Sequence, residues 1–194
     1  MNSARTNWLR ALVLFGVALA GTHAAAQTAG RVLLAAGEVS VLRAGTEIAL
    51  ATGAEIMTGD IVRTGEASSA QLRFTDAGIV AMRAKSRFHV ADYRFTGADD
   101  GVSGATFALL EGGLRTLTGL IGRGRQDRYR MATPLASVGI RGTTYALVYC
   151  QKDCEDDEGG IAADGAYGLV FEGRVAVANA GGEREFGPEE AFFV

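Results

Sequence analysis

A chain of 194 residues with 48% hydrophobic side chains is long enough for one domain with a buried core. Its net charge of −3 excludes the basic excess that nucleic-acid binding requires. Twenty-seven glycines against 2 prolines indicate tight turns between short strands, not disorder.

Arg5 and Arg10 precede an uncharged apolar run, Ala11 to Gly21, and Ala24, Ala25 and Ala26 then supply small residues. That is the layout of a secretory signal peptide, with cleavage expected before Gln27. The run is shorter than the roughly 20 residues of a spanning helix, so no stable membrane span is expected after cleavage. An uncleaved anchor is the alternative. No cysteine follows the run, so lipoprotein processing has no support. The expected organisation is a leader over 1–26 and a single domain over 27–194, located in the periplasm, secreted or at the cell surface. His23 leaves with the leader, and His89 is then the one histidine of the domain.

Beyond residue 30 nearly every segment alternates with period two and is broken by glycine, the spacing of an all-β domain. Val39 and Val41 lead to a turn at Gly45, and Ile48 and Leu50 lead to Gly53. Gly59-Asp60 and Gly65 flank Ile61 and Val62. Ala70, Leu72 and Phe74 share one face, Asp76 to Gly78 turns the chain, and Phe88 and Val90 continue towards Phe95. Leu110, Leu114, Leu117 and Ile121 have helical spacing, but Gly112, Gly113, Gly119 and Gly122 weaken a helix there. Two strands around the Gly112-Gly113 turn are expected, with one helical turn near Leu120. Arg123, Arg125, Arg128 and Arg130 form a basic connector, read as a solvated loop or an anion patch.

A weak repeat relates Gly37, Val39, Val41, Gly45, Glu47 and Leu50 to Gly173, Val175, Val177, Gly181, Glu183 and Phe186. Units of this size cannot bury an apolar face alone, so a stacked β-roll, solenoid-like or sandwich arrangement is expected rather than a closed barrel.

Met131 to Val148 carries the most information. Arg141 stands between Ile140 and the Tyr145, Leu147, Tyr149 face, where an unpaired charge is costly. It is expected to be a structural clamp held by carbonyls or a carboxylate, with Gly142 permitting the turn and Thr143 completing the step. Edge strands near Val175 or Phe192 are candidates for accepting a partner strand.

Cys150 and Cys154 are expected to pair, given the exported context, rather than bind metal, since no histidine is near in sequence. Asp153, Glu155, Asp156, Asp157 and Glu158 raise the question of calcium, although their spacing does not match an EF-hand. For catalysis the chain offers His89, Asp60 and Asp76. Both aspartates lie in glycine turns where Asp is ordinary turn chemistry, so no catalytic residue, cofactor or metal is expected.

With these marks in place the chain resembles the FecR domain of bacterial envelope proteins over roughly residues 37–148. The resemblance rests on Gly37, Val39 and Val41; Gly53 and Ile56; Thr58 to Thr64 around Gly59 and Asp60; and Ala70 to Phe74. The Asp76 to Gly78 turn, Ser86 to Val90, Glu111 to Arg115, Thr133-Pro134 and Val138 to Thr143 complete it. It implies an all-β, non-catalytic periplasmic module that works by protein contact. The best-known members pass a signal from an outer-membrane transporter to a cytoplasmic σ factor during iron uptake. This chain resembles a stand-alone exported form without the anti-σ domain, onto whose module the strands over 167–194 pack. Its expected role is an envelope protein–protein interaction module in signalling or assembly, with an unidentified envelope protein as partner. A calcium- or glycan-binding surface protein is the alternative, and an envelope hydrolase a more distant one.

Overall fold

The computed structural model describes residues 27–97, 101–124, 126–154 and 159–194. The expected leader lies outside them. Strands β1 (Thr28–Ala36), β2 (Val39–Arg43), β3 (Thr46–Ala49), β4 (Glu55–Met57) and β5 (Ile61–Thr64) come first. There follow β6 (Ser69–Phe74), β7 (Ile79–Met82), β8 (Arg87–Arg94) and the long β9 (Gly104–Leu117). A short helix α1 (Leu120–Gly124) and a 3-10 turn (Gln126–Arg128) lead to β10 (Tyr129–Ala132) and β11 (Ser137–Cys150). The chain closes with β12 (Gly165–Asn179), β13 (Gly182–Phe186) and β14 (Ala191–Phe193). The expected all-β class holds, and the hydrogen-bonded network does not close into a barrel.

The network folds into two layers. One runs β3-β2-β5-β8-β9-β10-β11-β12-β13, and the other β4-β1-β6-β7-β9-β11-β12-β14. Their inner faces meet in an aromatic cluster. The ring of Phe74, from the second layer, lies 4.8 Å from Phe107, 5.3 Å from Tyr93 and 6.3 Å from Phe88, all from the first. Such large rings supply most of the apolar area a small core can bury.

Strands β9, β11 and β12 belong to both layers, and each bends where it crosses. A strand passing between facing sheets must exchange its inward and outward side chains, which a strict period of two forbids. Inward residues of β9 are Ala105, Phe107 and Leu109, then Leu114 and Thr116. On β11 they are Val138 and Ile140, then Thr143, Tyr145 and Leu147. On β12 they are Ala166, Gly168 and Val170, then Val175 and Val177. The parity changes at Gly112, Gly142 and Gly173, whose φ values are 74°, 60° and 76°. Register shifts mark bulges beside these points, between Arg141 and Thr144 and opposite Arg87 and Phe88.

Gly112-Gly113 is therefore a bulge within one strand, not the expected turn between two. The ladder stays unbroken because β8 pairs with β9 before the bend while β7 and β11 pair with it after. The expected helical turn is present as α1. The weak repeat forms two hairpins, β2–β3 and the second half of β12 with β13, at opposite edges of the first layer. Leu50 and Phe186, equivalent in the repeat, both pack against the core.

Space at the bends differs. At Gly173 a methyl group would run into the carbonyl oxygen of Gly142, whereas nothing stands within 4 Å of one at Gly142. Gly142→Ala should cost about 1 kcal/mol, the strain of a left-handed residue. Gly173→Ala should cost at least twice as much, because backbone must also move. Urea unfolding of the two variants checks this ordering.

Tyr93, Tyr129 and Tyr145 are buried. Burial pushes the Tyr129 phenol up to about 12, and those of Tyr93 and Tyr145 well above their ordinary value. The folded state then keeps phenolic protons that the unfolded chain releases above about pH 10. Stability should be full below about pH 10 and fall as the pH climbs through the raised values, with a shallower fall for Tyr145→Phe. Denaturant midpoints across that range measure the slope.

Candidate functional site

The ionic clamp of this fold is not at Arg141. Period two along β2 places Arg43 on the same face as the buried Val39 and Val41. It meets Asp60, 1% exposed, in a two-pronged pair: Nε donates to Oδ1 at 2.8 Å and Nη2 to Oδ2 at 2.7 Å. The Met57 amide also donates to Asp60 Oδ2 at 2.8 Å, and Arg43 Nη2 reaches the Glu55 carbonyl at 3.0 Å. The bond to Asp60 raises the Arg43 pKa above its ordinary value, against the opposing effect of burial. Gly59 brings Asp60 into place. Its φ of 91° turns the chain, and its amide donates to the Val90 carbonyl at 2.7 Å. An arginine at an inward position was the sequence signal for this pair. It points to a buried carboxylate partner.

Arg141 instead projects outward. Its side chain is 61% exposed and pairs with Glu185 at 3.2 Å. The expected burial beside Ile140 and Tyr145 fails because the bulge at Gly142 reverses the parity of β11, leaving Arg141 and Gly142 outside and Thr143 inside. Thr143 ties the bend to the end of β9. Its amide donates to Thr118 Oγ1 at 3.0 Å, and its carbonyl accepts from the Thr118 amide at 3.1 Å. The Thr143 hydroxyl is buried without a hydrogen-bond partner among the described residues.

Asp76 is also committed to structure. Its Oδ1 accepts from the Gly78 amide at 3.1 Å and its Oδ2 from Ile121 at 3.3 Å, while its carbonyl accepts from Leu120 at 2.9 Å. It thus satisfies the first amides of α1 from 45 residues away. Its own amide donates to the Tyr93 hydroxyl at 2.9 Å. His89 lies half-buried on the outer side of β8, opposite Ile61 and Ala108. Neither aspartate presents an open carboxylate to a substrate.

Cys150 and Cys154 form a disulfide, Cys150 buried and Cys154 half-buried. Beside it a cleft of 730 Å³ is lined by Lys85, Gly112, Cys154, Ile161 and Tyr167, among others. Lys85 pairs with Glu66 at 2.9 Å on its rim. That bond holds the Glu66 carboxyl below and the Lys85 ammonium above their ordinary values. The disulfide leaves no free thiol to act as a nucleophile there. Of the acidic loop, Asp153 accepts from the Gln151 amide at 2.6 Å, and Glu155 to Glu158 lie outside the described residues. Among the described residues no cluster of three or more ligating side chains is suited to a metal. Of the basic connector, Arg125 lies outside the described residues, and Arg130 faces outward.

Of the two expected edge positions, Phe192 lies on an edge strand, since β14 pairs with β12 alone, and Val175 does not. Val175 is interior, flanked by Ile140 on β11 and Phe186 on β13. Phe192 on β14 is buried against Gly168.

The family model described as FecR protein matches residues 60–176. The chain belongs to the FecR family. Asp60, Asp76, the bends at Gly112, Gly142 and Gly173, and Thr143 all lie within the match. Two crystal structures of a candidate anti-sigma factor from Parabacteroides distasonis ATCC 8503 share the fold. Each has a TM-score of 0.50 and 15% identity, over 69% of this chain and 54% of that one. The FecR chain thus matches only about half the length of that protein. No curated protein matches it. Among the described residues no helix is long and apolar enough to cross a membrane, a statement that does not bear on β-barrels.

The two arginines should separate cleanly by stability. Arg43→Ala strands a buried carboxylate and should cost about 3 kcal/mol. Arg141→Ala removes an exposed pair and should cost less than about 1 kcal/mol. Thermal and urea unfolding check the difference, and equal losses would contradict the assignment.

Proposed function

We propose that this FecR-family chain is an exported, non-catalytic module of the cell envelope that works by protein contact, in signalling or assembly. The observation that carries this reading is the use of both candidate catalytic aspartates inside the fold. Asp60 holds Arg43, and Asp76 holds the start of α1. With both cysteines oxidised, the cleft beside them offers no thiol nucleophile, and Lys85 on its rim is paired with Glu66. Family membership and the shared fold with a candidate anti-sigma factor support a regulatory rather than a metabolic role. Export rests on the leader sequence, Arg5 to Ala26.

Two measurements test the reading. Protein released from the envelope by osmotic shock should begin at Gln27 by mass, and recovery in the cytoplasm with Met1 to Ala26 intact would sink the export claim. His89→Ala should leave stability and cell-envelope phenotype unchanged. Its melting temperature, and that of the wild type, should not move with added calcium or chelator.

A further inference from the structure

The two outer faces of the FecR fold differ in a way that marks one of them as a docking surface. On the first layer, three outward arginines carry acidic partners, whereas Arg94, Arg130 and Arg174 have none among the described residues. Arg63 pairs with Glu47 at 3.3 Å, Arg87 with Glu111 at 3.7 Å and Arg141 with Glu185 at 3.2 Å. The outer face of the second layer departs from the usual alternation of apolar inside and polar outside. Leu34, Leu117, Leu169, Phe171 and Phe193 are all exposed there, at 37–55%. In the ladders Leu117 opposes Ile79, Leu169 opposes Ala146, and Phe193 opposes Tyr167. Patches of this kind on a folded domain mark interaction sites.

Set among these residues are Arg31, Arg73 and Arg115. None of the three has an ion-pair partner among the described residues. The Arg115 guanidinium lies 4.2 Å from the Phe171 ring centroid. Arg31 and Arg73 stand directly opposite one another on β1 and β6, an arrangement of like charges that disfavours strand pairing. On the first layer the opposed Arg63 and Arg87 each have a glutamate, while of the opposed Arg141 and Arg174 only Arg141 has one among the described residues. Glu55 and Glu172 stand at the margins of the second face, next to Arg31 and Thr144 in register.

We propose that this face docks a protein partner whose surface combines aliphatic side chains with carboxylates. A carboxylate placed between Arg31 and Arg73 relieves their repulsion, and the exposed leucine and phenylalanine side chains supply the buried centre of the contact. In a two-fold contact between copies this face supplies both partners, so two sets of these arginines meet. Only Glu55 and Glu172 at the margins offset them, which makes a second copy the poorer occupant. The proposal rests on the protein-contact reading above and goes further by naming the surface and the partner's chemistry.

A photo-crosslinking residue is placed at Phe171 on this face and, in a separate strain, at His89 on the opposite face, in the full chain produced in cells. The Phe171 position should capture a protein through a segment bearing carboxylates and aliphatic side chains. Binding of that purified protein should weaken at least tenfold in Arg73→Glu/Arg115→Glu, with the loss smaller at high salt and the melting temperature unchanged. Capture at His89 alone overturns this face while leaving the protein-contact reading intact. Capture at neither position overturns both. Capture at Phe171 of lipid, of a second copy of the chain, or of a protein whose affinity ignores the double variant overturns the proposal.

Discussion

Three strands are shared between two facing sheets, and everything else in this fold follows from how they cross. A β-strand cannot leave one sheet and enter another without exchanging the sides on which its residues point. Each crossing strand solves this with one glycine in the left-handed region: Gly112, Gly142 and Gly173. The three crossings are adjacent, since β11 lies against β9 and β12. Gly173 must therefore approach the backbone of Gly142, where a side chain has no room. The aromatic cluster forms because the bends bring the sheet carrying Phe74 over the one carrying Phe88 and Phe107.

Polar groups inside the fold act as joints between segments distant in sequence. Asp60 joins the β2 strand to the turn before β5, Asp76 joins the β6–β7 turn to α1, and Thr118 joins the end of β9 to β11. Ser86 does the same for the first bend: it accepts from the Gly113 amide at 2.9 Å, and its own amide donates to Thr64 Oγ1 at 3.0 Å. Buried polar groups without such partners are costly, so each joint also fixes a register. Asp60 and Asp76, catalytic candidates by residue type, both serve as such joints.

Much of the architecture was legible in the residues. Period-two alternation gave the strands from β2 to β8, glycine spacing gave their ends, and the repeat around Gly37 and Gly173 anticipated the two edge hairpins. The β9 strand was misread as two because a Gly-Gly pair signals a turn locally. Only its neighbours, β8 on one side of the bend and β7 with β11 on the other, make it a bulge. Arg141 was misplaced for the same reason: extending the alternation through Gly142 assigns the wrong parity to everything before it. The Arg43–Asp60 pair, by contrast, was within reach, since Arg43 shares a face with Val39 and Val41. The unpaired arginines of the outer face were not, because their isolation depends on which strands lie side by side.

The disulfide has a consequence for how the molecule matures. Two cysteines four residues apart can be joined in only one way, and the ring they close is short enough to form in the unfolded chain. Oxidation is then a local event that needs no isomerase and no prior assembly of β11 on its neighbours. Folding afterwards buries the Cys150 sulfur and leaves Cys154 half-exposed. A reducing thiolate must attack in line at a sulfur it can reach, so reopening of the finished bond runs through Cys154 and expels the Cys150 thiolate into the protein interior. The bond closes easily in the nascent chain and is sheltered on one side in the folded one.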